Sequence, residues 1–358
     1  MPKPKTVLVA PLHWGLGHAT RCIPIIRALQ TQGFKVLLAS DGAALHLLRK
    51  EFPLLETVEL PSYNITYPKN GNLFKWKILL QVSQIRKTIA SEEKIVERLV
   101  SENKIQGIIS DNRFGVHNKR IPSVYITHQL NVLTGSTTFF SSKMHQRIIR
   151  KFDRCWVPDT EDSHNNLSGK LGHVTKSDLP IKYIDILSRM EKRKIPQSIS
   201  ILILISGPEP QRTALEETLK PLFKNSEKRV VMVQGKVEAN QKWTTFGNIE
   251  IVNYMTSPEL EETLNKTELV ICRSGYTTIM DLTMLGKKAF FIPTPGQYEQ
   301  EYLAVYLEKL GLAPYAKQQE LQLDDLDKLT AYKGLGSVGT KPVDFSELFT
   351  LFKGKREF

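Results

Sequence analysis

The sequence has few cysteines and no long hydrophobic run. Its three cysteines are far apart and odd in number, which excludes a disulfide framework and any zinc-binding spacing. The longest apolar run, residues 199–205, has the length of a strand, whereas a membrane-spanning helix needs about 18 or more apolar residues. The apolar stretch near the start is too short for the core of a secretory signal peptide. We therefore expect a cytoplasmic protein with reduced thiols.

The remaining composition excludes several classes of protein. Hydrophobic residues make up 41% of the chain and charged residues 24%, which is incompatible with a disordered or collagen-like protein. No fixed-period repeat is visible, so a solenoid or propeller is not expected. A length of 358 residues is about twice that of a typical domain, and we expect two domains.

Acidic residues are scarce in the first half of the chain. Residues 1–178 contain 25 basic and 14 acidic side chains, whereas the other 180 residues contain 24 and 23. A basic half beside a neutral half favours a polyanionic partner on one side, although simple solubility charge is the alternative. The candidate partners are nucleic acid, an anionic membrane surface and an acidic acceptor. The chain lacks a zinc-finger spacing, an aromatic RNA-binding motif and a continuous basic helix, so nucleic acid is the less expected partner.

One basic segment has the pattern of a membrane contact. Residues 72–100 interleave Trp76 and other apolar side chains with cations such as Lys75, Lys77 and Arg86. This pattern is typical of a helix that lies in the membrane interface, and the alternative is a core helix with a solvated face. We predict reversible binding to the inner face of the cell membrane.

Short apolar strands alternate with amphipathic segments of helical length along the whole chain. This alternation predicts an α/β fold of βαβ units around parallel sheets, with six strands in the first half and five in the second. We place the first domain at residues 1–180, a connection at 181–197 and the second domain at 198–340. Apolar residues at helical spacing in 341–358 predict a C-terminal helix that packs back on the first domain.

The first candidate site is the run after the first predicted strand, where Gly15, Gly17 and His18 precede a helix. Glycines let the backbone turn tightly, and the helix N-terminus offers N–H groups to an anion. The third glycine of the dinucleotide fingerprint is absent. A histidine at this turn would lie at the edge of the sheet where open α/β folds bind ligands, and the alternative is a helix cap with an exposed histidine.

The second candidate site lies between another strand and helix. A buried strand ends in Arg273, Ser274 and Gly275, and Thr277 follows at the start of the helix. The N–H groups of that helix suit a diphosphate. Asp281, about one turn later, could accept hydrogen bonds from a ribose diol, and the alternative is a solvent-facing residue.

Two further loops complete the candidate site. Glu299 and Gln300 follow a proline-rich loop and suit the hydroxyls of a sugar, although acidic residues in a first helical turn also complement the helix dipole. The loop that contains Ser206 and Gly207 follows the first strand of the second half and could line the same cleft.

These motifs, in this order, resemble the GT-B glycosyltransferases of family 28. The resemblance is carried by Gly-Leu-Gly-His, by Arg-Ser-Gly-Tyr-Thr-Thr and by the loop that ends in Glu-Gln. It implies two Rossmann-like domains that face each other across a cleft, with a UDP-sugar on the second domain and the acceptor on the first. It also implies a reaction without a metal or other cofactor, and we see no Asp-x-Asp pair of the kind that holds a metal against a diphosphate.

The resemblance assigns roles to individual residues. Gly15, Gly17 and His18 match the first glycine-rich loop of the family. The loop on the diphosphate side is matched by Arg273, Ser274, Gly275 and Thr277. Asp281 replaces the usual ribose-binding glutamate, and Gln300 matches the first of two glutamines that contact the sugar. Glu301 replaces the second glutamine, so the resemblance does not determine which sugar is transferred.

The resemblance implies inverting transfer of a hexosyl or N-acetylhexosaminyl group to an acceptor hydroxyl, and a lipid-linked acceptor is a candidate. We expect His18 to be the general base, because a neutral imidazole is available near pH 7. Asp111 and His128, at the ends of two other predicted strands, are the second and third candidates. A nucleotide-sugar hydrolase, a UDP-N-acetylglucosamine 2-epimerase and a non-enzymatic nucleotide-sugar binder are the alternatives.

Overall fold

The computed structural model describes residues 4–63, 74–174, 177–236 and 238–354. The first half forms a sheet of seven parallel strands in the order β3-β2-β1-β4-β5-β6-β7. Its strands are β1 Thr6–Pro11, β2 Lys35–Ser40, β3 Thr57–Glu59, β4 Gly107–Asp111, β5 Ser123–Ile126, β6 Arg154–Val157 and β7 Ile181–Tyr183. Its helices are α1 Gly17–Thr31, α2 Gly42–Glu51, α3 Phe74–Ser101 and α4 Thr138–Ile149.

The second half forms a six-stranded sheet in the order β10-β11-β9-β8-β12-β13, parallel except for the β10–β11 pair. Its strands are β8 Ile199–Leu204, β9 Val230–Val233, β10 Trp243–Phe246, β11 Ile249–Val252, β12 Thr267–Cys272 and β13 Lys288–Phe291. Its helices are α5 Gln211–Phe223, α6 Ser257–Asn265, α7 Tyr276–Leu285 and α8 Tyr298–Lys309. The predicted α/β class with two parallel sheets is confirmed.

The central strands are apolar throughout because helices cover both faces of each sheet. In β1, five of six residues are buried, and β4 is buried along its whole length.

Local sequence signals determine where two helices of the second domain begin and end. Thr256 and Glu259 form a capping box at the start of α6, and Gly286 ends α7 with a φ of 68°, a conformation that favours glycine.

Two strands differ from the prediction. Strand β7 pairs with β6 and extends the first sheet into the segment that we had assigned to a connection. It has only three residues, which is too short for a pattern to be visible. Strand β10 is an antiparallel edge strand whose four residues are all exposed, so it has no apolar alternation that the sequence could reveal.

The C-terminal segment forms two short helices, α9 Phe345–Leu348 and α10 Thr350–Lys353, rather than one. The Asp344 carboxylate caps α9 by accepting hydrogen bonds from two backbone N–H groups. Phe349 and Phe352 are buried against Phe34 and Trp156, with ring centroids 6.0–6.4 Å apart. The segment therefore packs on the first sheet.

Among the described helices, none is both long enough and apolar enough to cross a membrane. The side chains of residues 72–82, which carry much of the predicted membrane pattern, lie outside the described part of the structure. In the described part of that pattern, Ile85 and Ile89 are half-buried and Arg86 is exposed.

Candidate active site

The loops after β1 and β12 meet at the carboxyl edges of the two sheets. Strand order reverses next to β1 in the first sheet and next to β8 in the second, and ligands bind at such points in open α/β folds. The Thr277 hydroxyl, at the start of α7, donates a hydrogen bond to the Gly17 carbonyl at the start of α1, at 3.2 Å. The two loops therefore form opposite walls of one cleft.

Both helix N-termini at this cleft lack a side-chain cap. Leu16 precedes α1 and Gly275 precedes α7, and neither side chain accepts a hydrogen bond from its helix. Gly15 has a φ of 73°, which favours glycine, and a Cβ at Gly275 would meet no atom within 4 Å. Two positive helix ends in contact repel each other, so an anion between them would be stabilised by both.

His18 belongs to a buried chain of polar side chains. Its Nδ1 lies 2.8 Å from Asp111 Oδ1, and Asp111 is the last residue of β4. The Arg21 guanidinium donates hydrogen bonds to both carboxylate oxygens of Asp111. The Asp111 and Arg21 side chains are almost completely buried, whereas the His18 side chain is 13% exposed to solvent. The arginine therefore anchors the carboxylate and the carboxylate orients the imidazole.

Burial, more than the neighbouring charges, keeps His18 neutral near pH 7. Burial alone would raise the pKa of Asp111, but Arg21 and His18 lower it to about 2. Burial lowers the pKa of His18, as does Arg21, and Asp111 only partly opposes them. His18 Nδ1 lies 2.8 Å from Asp111 Oδ1 and 2.9 Å from Arg21 Nη2. Because Arg21 Nη2 already donates to the Asp111 carboxylate, we assign the proton of Nδ1 to the hydrogen bond with Asp111, which leaves Nε2 as the basic nitrogen. His18 thus has the form that a general base requires.

His128, the third base candidate, connects the two domains. Arg21 Nη1 lies 3.1 Å from its Nδ1, and Glu299 Oε1 lies 2.9 Å from its Nε2. Its ring stacks on Tyr276 with 4.2 Å between ring centroids. Because both ring nitrogens have partners, this geometry favours a linking role for His128 rather than proton transfer.

Glu299 reaches the first domain in this structure. Besides His128, its carboxylate accepts a hydrogen bond from the Gln129 side chain. Burial alone would raise the pKa of Glu299, but His128, His18 and Arg21 lower it, so the carboxylate is ionised. The sugar contact that we predicted for Glu299 would have to share this carboxylate with the first domain.

Arg273 is a buried cation that no carboxylate among the described residues pairs with. Its guanidinium donates hydrogen bonds to the carbonyls of Ile292, Pro293 and Gln211 and to the Gln318 side chain, at 2.8–3.1 Å. Burial lowers its pKa to about 10. Arg273 thus braces three loops of the second domain and leaves a positive charge that a diphosphate would complement.

Ser274 and Gln300 are also engaged with the backbone. The Ser274 hydroxyl donates to the Gln300 carbonyl at 2.8 Å, and the Gln300 side-chain oxygen accepts from Thr294 N at 2.9 Å. The Glu301 carboxylate accepts from Gly296 N at 2.8 Å. These contacts hold the loop between β13 and α8 against the start of α7.

Asp281 and the loop after β8 have different surroundings. Asp281 is buried, accepts a hydrogen bond from the Ser188 hydroxyl at 2.6 Å, and has a pKa raised by burial. Ribose binding by Asp281 requires Ser188 to share this carboxylate. Ser206 and Gly207 are exposed, and Gly207 has a φ of 107° with open space where a Cβ would lie.

Arg21 and Tyr276 take part in the site but were not predicted from the sequence. Arg21 lies three residues after His18, so helical spacing places both on one face of α1, and this signal could have identified it. No local pattern indicates that Tyr276 stacks on His128. An Asp-x-Asp run was also overlooked at Asp325–Asp327, and there Asp325 accepts from Gln322 N and pairs with Lys328 in a 3₁₀ turn.

Comparison with known proteins identifies glycosyltransferases that are similar to this chain. Residues 209–332 match the glycosyltransferase family 28 C-terminal domain. A UDP-N-acetylglucosamine–N-acetylmuramyl-(pentapeptide) pyrophosphoryl-undecaprenol N-acetylglucosamine transferase of Mannheimia succiniciproducens is 25% identical over 88% of this chain and 86% of its own length. The Haemophilus ducreyi protein of the same name is 21% identical over 56% of this chain and 55% of its own length.

A solved structure shows the same architecture. Acinetobacter baumannii MurG superposes with a TM-score of 0.57 at 16% identity, covering 98% of this chain and 99% of that one. The fold and the cleft therefore define a GT-B protein. The chain is a glycosyltransferase, and its residues 209–332 are similar to the family 28 C-terminal domain.

Proposed function

We propose that this enzyme transfers a hexosyl or N-acetylhexosaminyl group, with inversion, from a UDP-sugar to a hydroxyl of a lipid-linked acceptor. The observation that carries the proposal is the anchored pair of His18 and Asp111, which lies directly opposite the uncapped N-terminus of α7. The relatives are named for a UDP-N-acetylglucosamine donor and an undecaprenyl-linked acceptor.

His18 acts as the general base of the reaction. Its Nε2 takes the proton of the acceptor hydroxyl while the oxygen attacks the anomeric carbon from the face opposite UDP. The bond between that carbon and the β-phosphate oxygen breaks, and UDP leaves with the electron pair. Asp111 stabilises the imidazolium that forms, and Arg21 keeps Asp111 ionised.

The second domain binds the donor. The N–H groups at the start of α7 and the buried charge of Arg273 stabilise the diphosphate as negative charge develops on the leaving group. Gly275 and Thr277 lie at this helix start, and Gly15 and Gly17 close the opposite wall. We assign the ribose to Asp281, the sugar hydroxyls to Glu299 and Gln300, and the outer edge of the donor site to Ser206 and Gly207.

A donor panel tests the proposal. We expect UDP-N-acetylglucosamine or another UDP-sugar to raise the melting temperature, and the GDP, TDP and ADP sugars to have little effect. A ligand at 100 times its dissociation constant stabilises a fold by roughly 2.7 kcal/mol. Absence of stabilisation by every UDP-sugar would contradict the proposal.

Product analysis separates transfer from its alternatives. Labelled donor is incubated with a polyprenyl-pyrophosphoryl N-acetylmuramyl pentapeptide, and transfer moves the label into the lipid fraction. Rapid release of free sugar without acceptor would indicate a hydrolase, and a new UDP-sugar epimer would indicate an epimerase. Binding without any product would indicate a sensor.

We further propose that helix α4 contacts an anionic membrane. On its outer face, Phe139, Phe140 and Met144 are 66%, 73% and 54% exposed to solvent. Lys143 and Arg147 are exposed on the same helix. Between Asp111 and Asp153 the sequence has seven lysines and arginines and no acidic residue. Apolar side chains bordered by cations suit the headgroup region of an anionic bilayer, where a lipid-linked acceptor would be present.

A further inference from the structure

His13 forms a second histidine–carboxylate pair at the mouth of the first domain. Strand β1 lies between β2 and β4, and its loop carries two histidines that turn to opposite sides. His18 turns to Asp111 at the end of β4, whereas His13 Nδ1 lies 3.3 Å from Oδ2 of Asp41, the residue after β2. The His13 side chain is 32% exposed, so solvent and ligands can reach it.

The structure makes room for the His13 ring. Gly42 follows Asp41, and a Cβ at Gly42 would lie 2.3 Å from two atoms of the imidazole. Gly42 also has a φ of 52°, a conformation that favours glycine. The ring therefore lies directly on the backbone at the start of α2, which restricts its orientation.

Buried charges hold Asp41 in place. Arg113 donates from Nη1 to Asp41 Oδ1 and from Nε to Glu92 Oε1, both at 2.7 Å. Glu92 Oε2 accepts from the Tyr63 hydroxyl at 2.6 Å and from Gly115 N at 2.9 Å. Arg113 and Glu92 are completely buried. Burying such charges is costly, and the result is a fixed carboxylate beside an accessible histidine.

The His13 pair repeats the plan of the His18 pair. In each, a carboxylate at the end of a strand orients a histidine and a buried arginine anchors the carboxylate. The two sets share none of their residues, and His13 is the more accessible histidine. Trp14, the next residue, is 45% exposed.

We propose that His13 binds a hydroxyl group of the acceptor sugar and thereby determines acceptor specificity. This inference rests on the proposed function, in which the first domain holds the acceptor. Asp41 beside Nδ1 makes Nε2 the lone-pair nitrogen, which accepts a hydrogen bond from a hydroxyl. Trp14 offers an apolar ring face to the carbon-bound hydrogens of the same sugar.

Binding to the UDP-saturated protein tests the proposal. One probe is a water-soluble short-chain analogue of polyprenyl-pyrophosphoryl N-acetylmuramyl pentapeptide. The other is n-octyl β-D-glucoside below its critical micelle concentration. Binding of each probe is measured by the change in tryptophan fluorescence. We expect His13→Ala to raise the dissociation constant of the bound probe at least tenfold. His13→Gln, which retains an acceptor atom, should recover part of the loss. His46→Ala, at an exposed histidine of α2, is the matched control and should bind as the wild type does.

UDP affinity, measured in parallel, separates this inference from the proposed function. Wild-type UDP affinity in His13→Ala with weakened probe binding supports a role for His13 at the acceptor. Unchanged probe binding by His13→Ala, or an equal loss of UDP and probe affinity in both His13 variants, would overturn it. Failure of the wild type to bind either probe would also overturn it, whereas UDP binding would still support the donor site.

Discussion

His18, Asp111 and Arg21 act as one unit because each fixes the state of the next. Arg21 keeps Asp111 ionised inside the protein, and Asp111 sets the tautomer of His18. Without the arginine, a completely buried carboxylate would take up a proton and lose its hold on the imidazole. Under the proposed function, this dependence makes the rate of transfer sensitive to substitutions at Arg21, although we assign Arg21 no contact with substrate.

Replacement of the proposed base, His18, should slow turnover strongly while donor binding persists. We expect His18→Ala to reduce kcat by about 10²–10⁴-fold, the usual contribution of general base catalysis. UDP affinity, measured by calorimetry, should remain near that of the wild type because the α7 helix start is intact. His164→Ala, at an exposed histidine, serves as the control. A His18→Ala enzyme with near-normal kcat would exclude this base.

With His18 as the proposed general base, the pH dependence of the rate should follow from the pKa of His18. Burial lowers that pKa from its ordinary value of 6.5, so the imidazole stays neutral and basic at pH 6.5 and above. Activity should therefore be retained through neutral pH and fall only below pH 6.5, as His18 becomes protonated. A kcat profile between pH 4 and 9 checks this, and an acid limb centred above pH 7 would contradict it.

Helix α4 has two faces with different functions. Its inner face holds Ser142 and His145, and the Ser142 hydroxyl accepts from Val132 N at 3.0 Å. That contact supports the loop that carries His128 and Gln129. The outer face is the aromatic and basic surface that we assign to the membrane, so membrane contact and the active-site loop share one element.

Removal of the aromatic side chains of α4 should weaken membrane binding. We expect Phe139→Ser with Phe140→Ser to reduce binding to vesicles of 30% anionic lipid about tenfold or more, because buried apolar area is lost. Binding should also fall as salt is raised, since the cations of α4 are screened. Trp243→Ser, at an exposed aromatic residue of the second domain, is the control. Equal binding to neutral and anionic vesicles would contradict the proposal.

The two domains are joined by several side chains of α8 as well as by the chain itself. Tyr302 and Tyr306, one turn apart, reach the first domain, where they contact Lys170 N and the Asn166 side chain. A Cβ at Gly169 would sit 2.2 Å from the Tyr302 hydroxyl, so this contact is close. With the bridge from Glu299 to His128, these contacts link the two domains across the cleft.

The C-terminal helices complete the first domain. Lys5 Nζ donates to the Phe352 carbonyl at 3.0 Å, which ties the end of the chain to its beginning. We expect Phe352→Ala to lower the free energy of unfolding by about 3–5 kcal/mol, because a fully buried ring leaves a cavity. Chemical denaturation measures this. Leu54→Ala, at a 97% exposed residue, should have little effect. A similar small change for Phe352→Ala would show that the segment is dispensable.

Much of the architecture could be predicted from local pattern. Strands such as β1 and β8 are buried on both faces, so they are apolar along their length, and the segments between them have helical spacing. Strands β7 and β10 could not be predicted, because one has three residues and the other is exposed. For the same reason, the number of strands at the sheet edges was underestimated.

The glycine turn with His18 and the helix start after Arg273 were visible in the sequence, because each is built from consecutive residues. The partners of those residues were not visible. Asp111 lies 93 positions after His18, and Glu299 lies 171 positions after His128. Two features of the tertiary structure bring these groups together. The parallel sheets place the ends of distant strands at one edge, and the two domains pack against each other. The charges and protonation states of the site therefore depend on burial and proximity that exist only in the folded protein.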